Sequence, residues 1–337
     1  MIRALTLFVA AAALAGGIEA QTGGGLWKFA HPQAKALIGI NWKVVRDSQG
    51  GRMMRDKLES GIAEAIPGIE FLNDLEEALI SSPGPTEGRA DPPALIAVRG
   101  RFDRARVKDL LVRHGARKQM YGASVIYRPQ GETGRDFAIA QIDERTLLLG
   151  DVASVLAGID RAKSEWTGGG ANPVVERAQR LETSYDFWAL FTAPGALSMP
   201  GAHMPPDARE MEAGISFHNG LSMDVRLDTA SIDIARHMAV DLSKVLKLAS
   251  KDQEGQPGWT EIVKKMHVWA DSTAVRLSLR MGGDDLAKAT RLWEVARARR
   301  DTAQAQTHVD LKPVPPQRKT IRIEGLDEGL REIPIRP

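Results

Sequence analysis

The dipeptide Asn219-Gly220 limits this chain's fold more than any other feature. Both central residues of the preferred two-residue hairpin turn need positive φ, which Asn and Gly tolerate, and the twist of that turn matches two antiparallel strands. Ile215 and Phe217 alternate toward it. On the return, Leu221, Met223, Val225 and Leu227 alternate with Ser222, Asp224, Arg226 and Asp228. Successive strand side chains point to opposite faces, so one face of this strand is apolar and the other polar. A turn this tight joins only antiparallel neighbours, because parallel neighbours need a crossover of about a dozen residues or more.

The same signal recurs. Residues 137–142 and 146–150 read as a hairpin around Asp143-Glu144-Arg145, and Val275, Leu277, Leu279 and Met281 alternate after a turn near Asp271-Ser272. Short strands are predicted at 119–121 and 125–128. Residues 36–40, 94–100 and 187–192 are apolar on both faces, as central strands are. Helical spacing falls between these strands. It is read at 52–65, at 104–114 with inner residues Val107, Leu110 and Leu111, and after Gly150 with Val152, Val155, Leu156 and Ile159. The longest series is Ala235, Met238, Ala239, Leu242, Val245, Leu246 and Ala249. A helix near 259–266 and a last one from Asp284-Asp285 to about Arg300 complete the set. Hairpins alternating with helices predict an α+β fold, antiparallel sheet backed by helices, and exclude a doubly wound parallel sheet.

Gly168-Gly169-Gly170 divides the chain into a first half, 21–167, and a second half, 171–300. Each half reads as strand, helix, hairpin, helix, a repeat of pattern and not of residues, which raises an internal duplication. The "LIAVRGRFD" step from strand to helix, Leu95 to Asp103, and the "RTLLLGD" step, Arg145 to Asp151, resemble uncharacterised exported bacterial proteins built from a duplicated α/β unit. That resemblance implies a fold and brings no activity or catalytic residue with it.

The ends differ from the body. Arg3, the uncharged apolar run 4–15 and a small residue at Ala20 are laid out like a cleaved signal peptide, residues 1–20, with a mature chain starting near Gln21. The run is short for a membrane span, and no later segment reads as one. The periplasm or cell envelope is the expected location. Residues 301–337 carry Pro313, Pro315, Pro316, Pro334 and Pro337 and read as an extended tail. Within it, residues 320–324 alternate like a strand, with Ile321 and Ile323 on one face, which suits addition to a sheet edge.

Chemistry-bearing motifs are scarce. The chain has no Cys, so disulfides, thiolate metal sites and a Cys nucleophile are excluded. Its seven His residues form no i, i+4 pair and no H-E-x-x-H motif, so no metal and no cofactor is expected. Asp233, His237 and Asp241 share one helix face, but the face opposite is the apolar one, so they are read as exposed surface. Gly150-Asp151 could suggest a nucleotide site. A dinucleotide fingerprint needs spaced glycines, however, and a lone Asp after a strand is read as a helix N-cap. No G-x-S-x-G, S-x-x-K or P-loop pattern occurs, so no catalytic residue is assigned.

The remaining candidate is the basic stretch of Arg99, Arg101, Arg104, Arg106, Lys108, Arg113, Arg117 and Lys118, offset only by Asp103 and Asp109. Such a face suits an anionic envelope component or envelope protein. The stretch lacks the run of stacking aromatics that single-stranded nucleic acid would use, and nucleic acid is not an expected partner. The expectation is a non-enzymatic exported envelope protein of interaction or structural type. The alternative is a periplasmic binding protein holding a small or lipid-like ligand between its halves. A cavity lined by apolar groups with a few convergent polar ones would favour the alternative. A packed seam would favour the first.

Overall fold

A computed structural model describes residues 25–50, 74–87, 91–113, 115–129, 136–164, 172–194, 196, 207–251, 257–292, 294–295, 320–323 and 331–334. The leader, the helix expected at 52–65, the central glycine run and the end of the last helix lie outside them. The chain divides into two units, one ending at Trp293 and the other comprising Glu294–Pro337.

The strands of the large unit are β1 (Ala36–Ile40), β2 (Leu75–Ser82), β3 (Leu95–Gly100), β4 (Arg117–Tyr121), β5 (Ser124–Arg128), β6 (Phe137–Gln141), β7 (Thr146–Asp151), β8 (Phe187–Phe191), β9 (Ala208–Ser216), β10 (Leu221–Thr229), β11 (Met266–Asp271) and β12 (Ala274–Met281). Its helices are α1 (Trp42–Asp47), α2 (Arg104–Arg113), α3 (Val152–Lys163), α4 (Pro173–Ser184), α5 (Ile232–Lys251), α6 (Pro257–Lys264) and α7, which starts at residue 283. A 3₁₀ turn, Trp27–Phe29, precedes β1.

All twelve strands join one sheet in the order β11-β12-β10-β9-β8-β1-β2-β3-β7-β6-β5-β4. Every recorded pairing is antiparallel, as the hairpin turns require. The α+β expectation is therefore met. The same strand order is laid down twice outward from the centre, as β1-β2-β3-β7-β6 and as β8-β9-β10-β12-β11. The β4–β5 hairpin is an addition on the first side.

The two halves meet where β1 pairs with β8, Ala36 opposite Phe191 and Ile40 opposite Phe187. Phe187, Trp188, Ala189, Leu190 and Phe191 are all buried, so β8 carries apolar side chains on both faces. Trp188 lies across Gly39, where a Cβ would run into the indole, and stacks on Trp27 with centroids 5.7 Å apart. On one side of the sheet Ile38, Ile80, Phe187 and Phe191 join a core with α1, α5, α6 and Leu286. On the other, Leu37, Leu79, Leu95 and Trp188 pack against Trp27, Phe29, α3 and α4. A third cluster, Val98, Leu147, Leu149, Ile139 and Tyr127, lies under Val107 of α2.

The small unit is described only as a hairpin. β13 (Thr320–Ile323) pairs with β14 (Arg331–Pro334), placing Ile321 opposite Ile333 and Ile323 opposite Arg331. The strand expected in the tail thus finds a partner within the tail.

Candidate functional site

The basic stretch is built by a cap, a helix, a second cap and a strand. The Asp103 carboxylate accepts from the amides of Ala105 (2.7 Å) and Arg106 (3.1 Å) and starts α2. Val107 and Leu110 turn inward, so the residues between them face water. At the far end Ala116 N–H donates to the Leu111 carbonyl and Gly115 N–H to that of Val112, both at 2.9 Å. Gly115 has φ of +76°, the left-handed conformation this helix stop requires. The chain then enters β4, the outermost strand, and turns through Gly122 (φ +57°) into β5.

β4 hides almost nothing. Arg117, Lys118, Gln119 and Met120 are exposed, and Met120 is 56% accessible. Tyr121 anchors the strand's end, its hydroxyl donating to Asp160 (2.6 Å) with the Lys163 ammonium over its ring.

The eight predicted basic residues divide. Arg104, Arg106, Lys108 and Arg113 are exposed on α2, and Arg117 and Lys118 on β4. Among the described residues Arg104, Lys108, Arg117 and Lys118 form no ion pair. Arg101 is exposed and reaches Glu76 at 3.4 Å. Arg99 does not join this surface. It shares a sheet face with Ala97, opposite the α2 side, and pairs with Glu77 at 2.7 Å. Strand alternation reverses Arg99 relative to Val98, a consequence that counting charge along the sequence cannot register.

Arg99 belongs to a polar node that sequence reasoning missed. Burial pushes the carboxyls of both Glu77 and Glu182 above the ordinary carboxylate range; Arg99 opposes this at both, while Glu76 raises Glu77 further and Glu77 raises Glu182. Glu182 accepts the indole N–H of Trp27 at 2.8 Å. The signal was present in α4. Glu182 follows the buried Val175 and Ala178 at i+7 and i+4, so an acid occupies an inner-face position.

A second node surrounds His31. Its ring lies between the hydroxyls of Ser81 (Nδ1, 3.0 Å) and Ser154 (Nε2, 2.9 Å), partners that a neutral imidazole satisfies with one N–H and one lone pair. Burial, reinforced by the Arg161 charge, lowers its pKa to about 4. Arg161 donates to the Phe29 carbonyl at 2.6 Å. Ser81 and Ser154 are only 1% and 5% exposed, and their hydroxyls tie the segment before β1 to β2 and α3.

Gly150-Asp151 has the local geometry of a cap. Asp151 accepts from Ser154 N–H (3.1 Å) at the start of α3 and from Ala94 N–H (3.0 Å) across the sheet. Gly150, at φ +150°, leaves no room for a Cβ beside the Ala94 carbonyl. Asp233, His237 and Asp241 are exposed on α5. His237 is bonded to the Asp233 carbonyl at 2.9 Å, and Asp241 is paired with Lys244 at 2.9 Å. Among the described residues no group of three His, Cys, Asp or Glu could hold a metal ion, and no helix is long and apolar enough to cross a membrane.

No protein family matches the chain, and no curated protein matches it. Among solved structures, crystal form I of TP0453 is similar at 10% identity with a TM-score of 0.46, covering 79% of this chain and 97% of that one.

Proposed function

We propose that this protein is an exported component of the cell envelope that works by contact and not by catalysis, and that the α2–β4 edge is its contact surface. The observation that supports this reading is the filled seam between the halves. Where a ligand held between them would sit, β1 pairs directly with β8, Trp188 covers Gly39, and Trp27 closes over Trp188. Contact is left to the exterior, where Arg104 and Lys108 of α2 and Arg117 and Lys118 of β4 are exposed and form no ion pair among the described residues.

The test is chemical cross-linking in the native envelope, comparing the wild type with Arg104→Glu, Lys108→Glu, Arg117→Glu and Lys118→Glu combined. The wild type is expected to give a discrete adduct that the variant loses. A small molecule extracted in stoichiometric amount from the purified native protein would overturn the reading in favour of a binding protein. Recovery of exported material with Met1 still in place would overturn the leader assignment.

A further inference from the structure

We propose that the β4 edge accepts an extended, acidic segment of a partner protein as an added strand; this rests on the α2–β4 contact surface proposed above. Three observations combine. First, β4 is held by pairing, not by burial. Its residues 117–120 are exposed, and among the described residues it pairs only with β5, so that its far side is the edge of the sheet they form. Second, the edge is regular. The β4–β5 register runs without interruption from Arg117↔Arg128 to Tyr121↔Ser124, with none of the prolines or bulges that blunt many edges.

The tight turn fixes which groups are free. Residues flanking a two-residue hairpin loop exchange both of their hydrogen bonds, and bonded and unbonded pairs then alternate along the ladder. Tyr121, Gln119 and Arg117 therefore bond inward. Lys118 and Met120 direct their N–H and C=O groups outward, the pattern an incoming strand would use.

Third, charge selects the occupant. Arg117 and Lys118 stand exposed on this strand, one on each face of the sheet, without ion pairs among the described residues. A second copy of the chain would bring the same cations together, and like charges near one another repel. An acidic strand gains from the field that rejects a copy of the chain, so one set of side chains supplies both attraction and exclusion.

The probe is a short peptide of alternating Val and Glu, with an analogue N-methylated along one edge, titrated against the full chain. The peptide is expected to bind, and the analogue to bind roughly tenfold more weakly, through loss of one or two backbone bonds. Met120→Pro, which removes only an outward N–H, should weaken the unmodified peptide by a similar roughly tenfold factor, while Met120→Leu should not. If the proline disturbs the hairpin, the N-methylated peptide on wild-type protein answers the same question. Equal affinity for both peptides, with loss on Arg117→Glu/Lys118→Glu, overturns strand addition and leaves a contact surface that reads charge alone. Binding to phosphatidylglycerol vesicles without binding to the peptide overturns it in favour of a membrane surface. If charge reversal changes binding to no probe, both this inference and the contact-surface reading fail.

Discussion

His31 makes the folded protein acid-sensitive by an amount that its surroundings define. Its pKa falls from 6.5 to about 4 in the fold, chiefly through burial and then through Arg161, with Asp151 opposing. Above the unfolded value both states are neutral, and the ring contributes no pH dependence. As pH drops below that value the unfolded chain takes up a proton that the folded chain refuses, so stability falls until the folded pKa is passed. The full span amounts to about 3 kcal/mol, and about 2 kcal/mol is lost already between about pH 7.5 and about pH 5. That is about 4–8 °C in melting midpoint for a domain of roughly this size. Glu77, Glu182 and Asp186 act in the opposite sense, since their carboxyls are raised and favour the fold as pH falls. The informative quantity is therefore the difference between wild type and His31→Gln. Urea unfolding of both proteins at the two pH values should show the wild type losing about 2 kcal/mol more than the variant. Equal losses, or an NMR titration placing the folded His31 near 6.5, would refute the account.

Other expectations concern the seam, the carboxylates, the cap and the tail. Gly39→Ala pushes Trp188 off its strand and out of the stack with Trp27; it should cost about 1–3 kcal/mol and reduce the near-UV circular dichroism of the pair. Glu182→Gln keeps an acceptor for the Trp27 indole and removes a charge that burial disfavours. The variant's stability should therefore decline less than the wild type's as pH rises from the ordinary carboxylate range through the raised pKa, measured as urea midpoints across that range. Asp151→Ala removes the α3 cap and the bond to Ala94 and should cost about 1–2 kcal/mol by equilibrium unfolding. Deleting residues 311–337 should leave the main melting midpoint nearly unchanged in calorimetry; a sharp fall would make the tail an integral part of the core.

Local features were legible where the physics is local. The Asp103 and Asp151 caps and the apolar stripe of α5 each follow from one residue's conformational freedom or from spacing along a single element. The hairpin at Asn219-Gly220 lies where expected, but its loop is longer than the two-residue turn: Ser216 pairs with Ser222, and Gly220 takes positive φ while Asn219 does not. β4 began two residues before its expected start, because Arg117 and Lys118 are held as strand by pairing with β5 and carry no alternation to announce it. β2 and α4 had no assignment. Glu76 and Glu77 interrupt the apolar pattern of the first, and the inner face of the second is broken by Glu182.

The sequence by itself determined the antiparallel character of the sheet, the positions of most hairpins and helices, and the absence of thiol chemistry, since tight turns, side-chain periodicity and composition act within a short stretch of chain. Only the tertiary structure decided that β1 and β8 join both halves into one sheet, that β3 lies beside β7, and that His31 meets Ser81 and Ser154. It also separated Arg99, paired with Glu77, from the cations of the β4 edge. The physical reason is that a strand's periodicity fixes which face is buried but not which neighbour it pairs with. That choice depends on register, on the room left at positions such as Gly39, and on burial shared among segments distant in the chain.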